Sequence, residues 1–338
     1  MNLIISKSIN FLKFPDIYMY IRQRITNGHI IILAYHRVYP KKDNLFVPYV
    51  SPEEFENQIK YLQKYFKIFS LEELVNFLKN SKIYNEEYKN IAVITFDDGY
   101  KDNYIYAYPI LKINRIPATI FLATNYIGKD KLFWWDKVGY IIYNSKKKKI
   151  NIPNIGEYLF NNNKEKRNCV VILLDKLKKF PNKLKNKYIF ILQNICNVKI
   201  PSGLGERMIL SWNEIREMND NGISFGAHTK THPILTNENL KEAEKEIVDS
   251  KKIIEDHLKI KIRSFSYPNG SYNNEIIKLI KNNGFDCAVS SNQNLISKYN
   301  INDIYNLPRI AVGSSFSRFK IRTSGIFSDF NSLLTRRV

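Results

Sequence analysis

Apolar residues fall into two rhythms along the chain. Seven short, nearly unbroken runs have the length and β-branched content of strands covered on both faces: HIIILAY (29–35), IAVITF (91–96), ATIFL (118–122), ISFGAH (223–228), IRSFSY (262–267), DCAVSS (286–291) and NLPRIAV (306–312). Between them, apolar positions recur every three or four residues. SPEEFENQIKYLQKYF opens on Ser51 as N-cap with Pro52 in the first turn, and SLEELVNFLKN carries a Ser70/Glu73 capping box. NYIYAYPILKI, SWNEIREMNDNG, NENLKEAEKEIVDSKKIIEDHL and NNEIIKLIKNNG read the same way. Strand–helix alternation predicts a parallel α/β sheet, and about seven such units predict barrel-like closure.

Residues 129–208 break the rhythm with KLFWWDKVGYIIYNSKKKK, an Asn/Lys-rich middle and two weak helical patterns. They read as an insertion between a strand and the SWNEIREM helix, and insertions after barrel strands sit at the active-site face. The expected organisation is a helical segment over 1–28 and one domain over 29–338 with the insertion 129–208. The opening MNLIISKSINFLKFPDIYMYIRQRI lacks a secretory apolar region, and no run reaches the roughly 18 apolar residues of a membrane span. Three separated cysteines, Cys169, Cys196 and Cys287, fit neither a disulfide framework nor a cysteine metal site. A cytoplasmic location is the expectation. The first helix is read as packed on the domain, with peripheral association with a membrane through its aromatic and basic residues as the alternative.

The 338 residues carry a formal charge of +20. A basic balance suits nucleic acid, an anionic membrane or an acidic polymer. Lys, Asn and Ile are abundant throughout, and no arginine-rich helix or nucleic-acid motif appears, so no nucleic-acid partner is expected. The KKKK run at 146–149 reads as a solvated loop.

Two stretches carry chemistry. In TFDDG, Asp97 and Asp98 follow a strand end and Gly99 permits a sharp turn. In GAHTKTHPIL, His228 and His232 stand four apart behind another strand, a spacing that lets both imidazoles face one metal. An Asp/His/His set suits zinc or another divalent metal with positions open for water and substrate.

TFDDG, HTKTHP and FSYPNG, in this order, resemble the three motifs of the polysaccharide deacetylases, the NodB-homology carbohydrate esterases, over roughly residues 29–313. The resemblance implies a distorted (β/α) barrel, of about seven parallel strands here, and a hydrolase that removes N-acetyl groups from an amino-sugar polysaccharide or glycan precursor. It implies Asp97 as general base and Asp98, His228 and His232 as ligands of a divalent metal, zinc by preference, with cobalt, manganese or nickel as alternatives. A deformylase or amidase acting on a small molecule or lipid-linked sugar would use the same ligands. A non-catalytic glycan-binding homologue is the third reading. Two features depart from the family. Ser266 stands where many members have an arginine, and no histidine follows His257 to serve as general acid. His36, at the end of the first strand, is the candidate substitute, with a packed core histidine as its plain alternative. Trp135, Trp212, Tyr267 and Pro268 are candidates for the sugar-binding surface, since sugar faces stack on aromatic rings. The oligomeric state is not legible.

Overall fold

A computed structural model describes residues 14–25, 28–40, 47–79, 90–292, 295–296 and 303–326. The rest of the expected 1–28 segment lies outside them. In chain order the elements are α1 (Phe14–Ile25), β1 (Ile30–Tyr35), β2 (Arg37–Val38), β3 (Tyr49–Val50), α2 (Pro52–Tyr65), β4 (Lys67–Phe69), α3 (Leu71–Lys79) and β5 (Ile91–Phe96). There follow α4 (Tyr108–Ile113), β6 (Ala118–Leu122), α5 (Trp134–Asn144), β7 (Lys149–Ile152), β8 (Gly156–Leu159), α6 (Asn163–Leu177), α7 (Asn182–Cys196), α8 (Leu204–Met208) and α9 (Trp212–Asp220). The chain ends through β9 (Ile223–Ala227), α10 (Leu240–Leu258), β10 (Ser264–Ser266), α11 (Asn274–Asn282), β11 (Cys287–Val289), β12 (Ile310–Ala311) and α12 (Phe316–Ser324).

Every expected strand is present. They pair in the order β11-β10-β9-β6-β5-β1-β12, all parallel, with β4 beside the first half of β5 and β6 beside its end. β1 and β5 are buried at every position, which is why their sequences show no polar alternation. The sheet curls until one stretch spans its two ends. Leu307 donates to the Ala288 carbonyl (2.9 Å) and accepts from Ser290 (2.8 Å), while Val312 donates to the Ala34 carbonyl (3.1 Å). That is a distorted (β/α) barrel, closed on one side by a single bridge between Val289 and Leu307.

The helix starts follow the sequence chemistry. Ser51 and Ser211 each complete a capping box, with Glu54 and Glu214 respectively. One helix differs from expectation. NYIYAYPILKI begins as a wider π turn over Asn103–Ala107, with Tyr108 donating back to Asn103, because Pro109 has no N–H for the next α-helical bond. α1 packs on the domain through buried Met19 and an Asp16–Lys320 ion pair of 2.7 Å to α12. Its other face exposes Ile17, Tyr20 and Ile21. Residues 129–208 form α5, the antiparallel β7–β8 hairpin, α6, α7 and α8, with α5 packed against α6 and α7.

Candidate metal centre and cleft

β5 delivers Asp97 and Asp98 at its C-terminal end. Asp98 and Gly99 take φ of +77° and +84°, so the chain reverses at once. A Cβ on Gly99 would also stand 3.0 Å from the Ile127 and Leu122 side chains, so both dihedral and space call for glycine. β9 ends at Ala227, and the loop behind it holds His228 and His232. Of the eight non-glycine residues with positive φ among those described, four lie in the motif loops: Asp98, Thr229, His232 and Asn269. Each such conformation costs of order 1–3 kcal/mol and persists only where surrounding bonds impose it. Those bonds are visible. Glu246 on α10 accepts from the Lys230 and Thr231 amides (2.8 and 2.7 Å) and the Thr231 hydroxyl (2.6 Å), and Thr229 Oγ1 accepts from the His232 amide (3.1 Å).

The expected ligands converge. Asp98 Oδ1 lies 3.7 Å from His228 Nε2 and 3.3 Å from His232 Nε2, and the three ligand atoms fall within 4.8 Å of one another. His228 Nδ1 sits 2.7 Å from the Ser266 carbonyl, which only accepts, so Nδ1 holds the proton and Nε2 offers its lone pair. Burial lowers the His228 pKa to about 4, and burial together with the Lys185 charge lowers His232 to about 3. Both rings are therefore neutral at neutral pH, and their approaches to Asp98 are not ion pairs. Asp98 Oδ1 is buried and accepts no hydrogen bond among the described residues. A buried carboxylate oxygen without a donor, faced by two imidazole lone pairs, is uncompensated by protein alone. A divalent cation fits it.

Asp97 is held quite differently. Arg309, 1% exposed, grips it with two parallel bonds, Nη1 to Oδ1 at 2.8 Å and Nη2 to Oδ2 at 2.7 Å. The same guanidinium donates to Ser266 Oγ (2.9 Å), Thr95 Oγ1 (3.1 Å) and the Ser290 carbonyl (3.1 Å). Burial pushes the Asp97 carboxyl up, but Arg309, with His228, more than offsets it and leaves the group well below the usual carboxylate range. The arginine absent at Ser266 is thus supplied in space from the closing stretch. Ser266 serves both halves of the site: its hydroxyl supports Arg309 and its carbonyl sets the His228 tautomer.

Asp97, Asp98, His228 and His232 line a cleft of about 300 Å³ at the C-terminal ends of the strands. His36 lies in it, half-buried, its Nδ1 buried and without a hydrogen-bond partner among the described residues, and desolvation lowers its pKa. Trp135 lines it too. Its ring stands 4.7 Å from His232 in edge contact and stacks on Phe133 at 4.6 Å. Its indole N–H donates to the Tyr100 hydroxyl (2.7 Å), which donates to Asp136 (2.8 Å).

Three expected sugar contacts lie elsewhere. Tyr267 is fully buried and donates to the Tyr305 carbonyl (2.9 Å). Successive strand residues face opposite ways, so with Ser266 directed at Arg309, Tyr267 turns into the core. Pro268 is buried, and its neighbours Asn269 and Gly270 meet the cleft in its place. Trp212 opens α9 and stacks on His257 at 3.8 Å, outside the cleft. Sequence reasoning missed Arg309 and Glu246; the one available signal was a lone arginine inside the apolar NLPRIAV run.

The polysaccharide deacetylase family model matches residues 84–288, more than half of the chain. Bacillus subtilis (strain 168) YxkH, which bears a polysaccharide deacetylase name, is 24% identical over 287 residues, 85% of this chain and 72% of that protein. A Staphylococcus aureus (strain MSSA476) poly-β-1,6-N-acetyl-D-glucosamine N-deacetylase is 37% identical over 90 residues, but the match spans only 26% of this chain and 30% of the relative. Among solved structures, the Streptococcus pyogenes deacetylase PplD in complex with acetate superposes with a TM-score of 0.59 at 20% identity, covering 88% of this chain and 99% of that one. IcaB from Ammonifex degensii gives 0.58 at 17% identity, over 88% and 97%. At those identities the superpositions speak for the fold, which is the same curled parallel barrel. The chain belongs to the polysaccharide deacetylase family, hydrolases of the N-acetyl amide bond.

Proposed function

We propose that this chain removes acetyl groups from an N-acetylated amino-sugar glycan, with Asp98, His228 and His232 holding a divalent cation, zinc by preference, and Asp97 as general base. One observation carries the reading: the orphaned Asp98 oxygen and two lone-pair-bearing imidazoles stand beside a second carboxylate clamped by Arg309. A cation bound there lowers the pKa of water and polarises the acetamide carbonyl. Asp97, kept ionised and oriented by Arg309, accepts the proton of the attacking water. His36, neutral in the same cleft, relays the proton held by Asp97 to the departing amine, and a backbone N–H near Tyr100 receives the developing oxyanion. Acetate and a free amine leave. Trp135 walls the site and excludes water from one side of His232. The β-1,6-linked N-acetylglucosamine polymer named for the Staphylococcus relative is the first substrate to try. The buried free thiols of Cys169, Cys196 and Cys287 support a reducing compartment.

The test is acetate and amine release from N-acetylglucosamine oligomers by protein stripped with chelator and reloaded with zinc. Release should require the metal and vanish in His228→Ala and in Asp97→Asn. Undiminished release by His228→Ala, or none from any N-acetylated glycan, overturns the reading.

A further inference from the structure

The charge of the chain is not evenly spread. Residues 129–208 hold eighteen basic and six acidic residues, +12 of the total +20. This same segment builds one wall of the cleft, through Trp134 and Trp135 on α5 and Leu174 and Lys178 on and just beyond α6. Among the described lining residues the only carboxylates are Asp97 and Asp98, one clamped by Arg309 and the other aimed at the histidines. Lys178 is exposed, has no carboxylate within ion-pair distance among the described residues, and is fixed through its carbonyl, which accepts from Asn237 (2.7 Å).

Behind it stands a second ammonium. Lys185 on α7 is only 2% exposed, with Nζ 4.8 Å from the centre of the Trp134 ring, and its ammonium has no hydrogen-bond acceptor among the described residues. The two acids whose charges act on it do not take it up. Glu238 accepts from the Asn182 amide (2.6 Å) and Glu246 is filled by the Lys230–Thr231 loop. An ammonium without an acceptor on a nearly buried side chain, set against a tryptophan that lines a cleft with its own exposed lysine, is an arrangement completed by an anion.

We infer that Lys178 and Lys185 form an anion subsite beside the Trp134–Trp135 platform, so that the preferred glycan is acidic, carrying a phosphoryl or carboxylate group next to the N-acetylated sugar. This rests on the deacetylase reading for the identity of the sugar, but anion binding is separable from catalysis.

The experiment titrates chelator-treated protein calorimetrically with an N-acetylglucosamine tetramer, with the same tetramer bearing a phosphoryl group, and with one bearing a glucuronic acid residue. At low salt the acidic oligomers should bind about tenfold more tightly than the neutral one, ~1.4 kcal/mol, with the gap closing as ionic strength rises. The phosphoryl and uronate arms identify which anion is preferred. Lys178→Gln, a surface change, should bring the ratio close to one, and Lys185→Met, of similar volume, should reduce it. Equal affinity for neutral and acidic oligomers, no binding of the acidic ones, or a preference unchanged in Lys178→Gln overturns the proposal. Acetate release is read in parallel on the same protein reloaded with zinc. Selective binding without release refutes deacetylation and leaves the subsite standing; release without selectivity does the reverse.

Discussion

Arg309→Met is the most informative single change, because one buried guanidinium holds Asp97, a motif serine and the closing stretch together. The substitution roughly keeps the side chain's bulk and removes five donors, leaving Asp97 ionised in a site where it is 4% exposed. Two charges about 4 Å apart at an effective dielectric near 20 attract by ~4 kcal/mol, and breaking a buried pair from one side costs about 3–5 kcal/mol. Urea denaturation at pH 7 should therefore register a loss of about that size. The pH dependence has a definite sign. In the parent chain Asp97 lies below its ordinary pKa, so its contribution is present above about pH 4 and lost only as pH falls through the depressed value. In Arg309→Met burial acts unopposed by Arg309 and raises the carboxyl, so the variant regains stability as pH falls towards 4 and the carboxyl becomes neutral. The difference between the two proteins should narrow on acidification. Acetate release should fall by about 10²-fold, the penalty of a misplaced catalytic group, and Arg309→Lys should recover part of the stability but little of the rate, because lysine keeps the charge and loses the fork. A variant as stable as the parent at pH 7, or one whose deficit does not shrink with acid, refutes the assignment of Arg309 as the clamp.

Zinc should raise the melting temperature of the parent chain, by the equivalent of ~4 kcal/mol at a thousandfold excess over Kd, and have no such effect on His232→Ala; an equal shift in both would place the cation elsewhere. Gly270→Ala forces a side chain onto φ +68° with its Cβ 2.6 Å from the Ser291 backbone nitrogen, so thermal unfolding should report a loss of about 1–3 kcal/mol, and unchanged stability would refute the tight approach. His36→Gln should lower kcat with little change in KM and alter the pH profile of kcat; an unchanged profile returns His36 to the core-packing reading. Trp135→Phe keeps the stack on Phe133 and deletes the N–H bond to Tyr100, so denaturation should show about 1 kcal/mol lost, and no loss would mean that bond contributes nothing.

The strands were legible because burial on both faces removes polar alternation, leaving runs such as IAVITF that stand out in any window. β4 was not: three residues, KIF, are too few to make a run. The candidate metal ligands were legible because each lies at a strand end or in the loop just behind one, inside a short motif. Arg309 and Asp97 are 212 positions apart, and their pairing depends on a closure that no local pattern encodes. The aromatic contacts divided along the same line. Trp135 could be placed near the site from its segment, whereas Tyr267 and Trp212 turned on side-chain direction, fixed by one residue of strand register in the first case and by helix packing in the second.

The bridge between Leu307 and Val289 has a consequence for the order in which the molecule matures. All three residues that would hold the cation are synthesised by position 232, from β5 and β9, which the intervening β6 joins directly. The clamp on the base arrives some seventy-five residues later, on the stretch that spans the two ends of the sheet. If the three hold a cation, a growing chain can acquire it before Arg309 arrives to clamp Asp97. The orientation of Asp97 thereby reports on the closure of the barrel, since the guanidinium that sets it comes with the last strand.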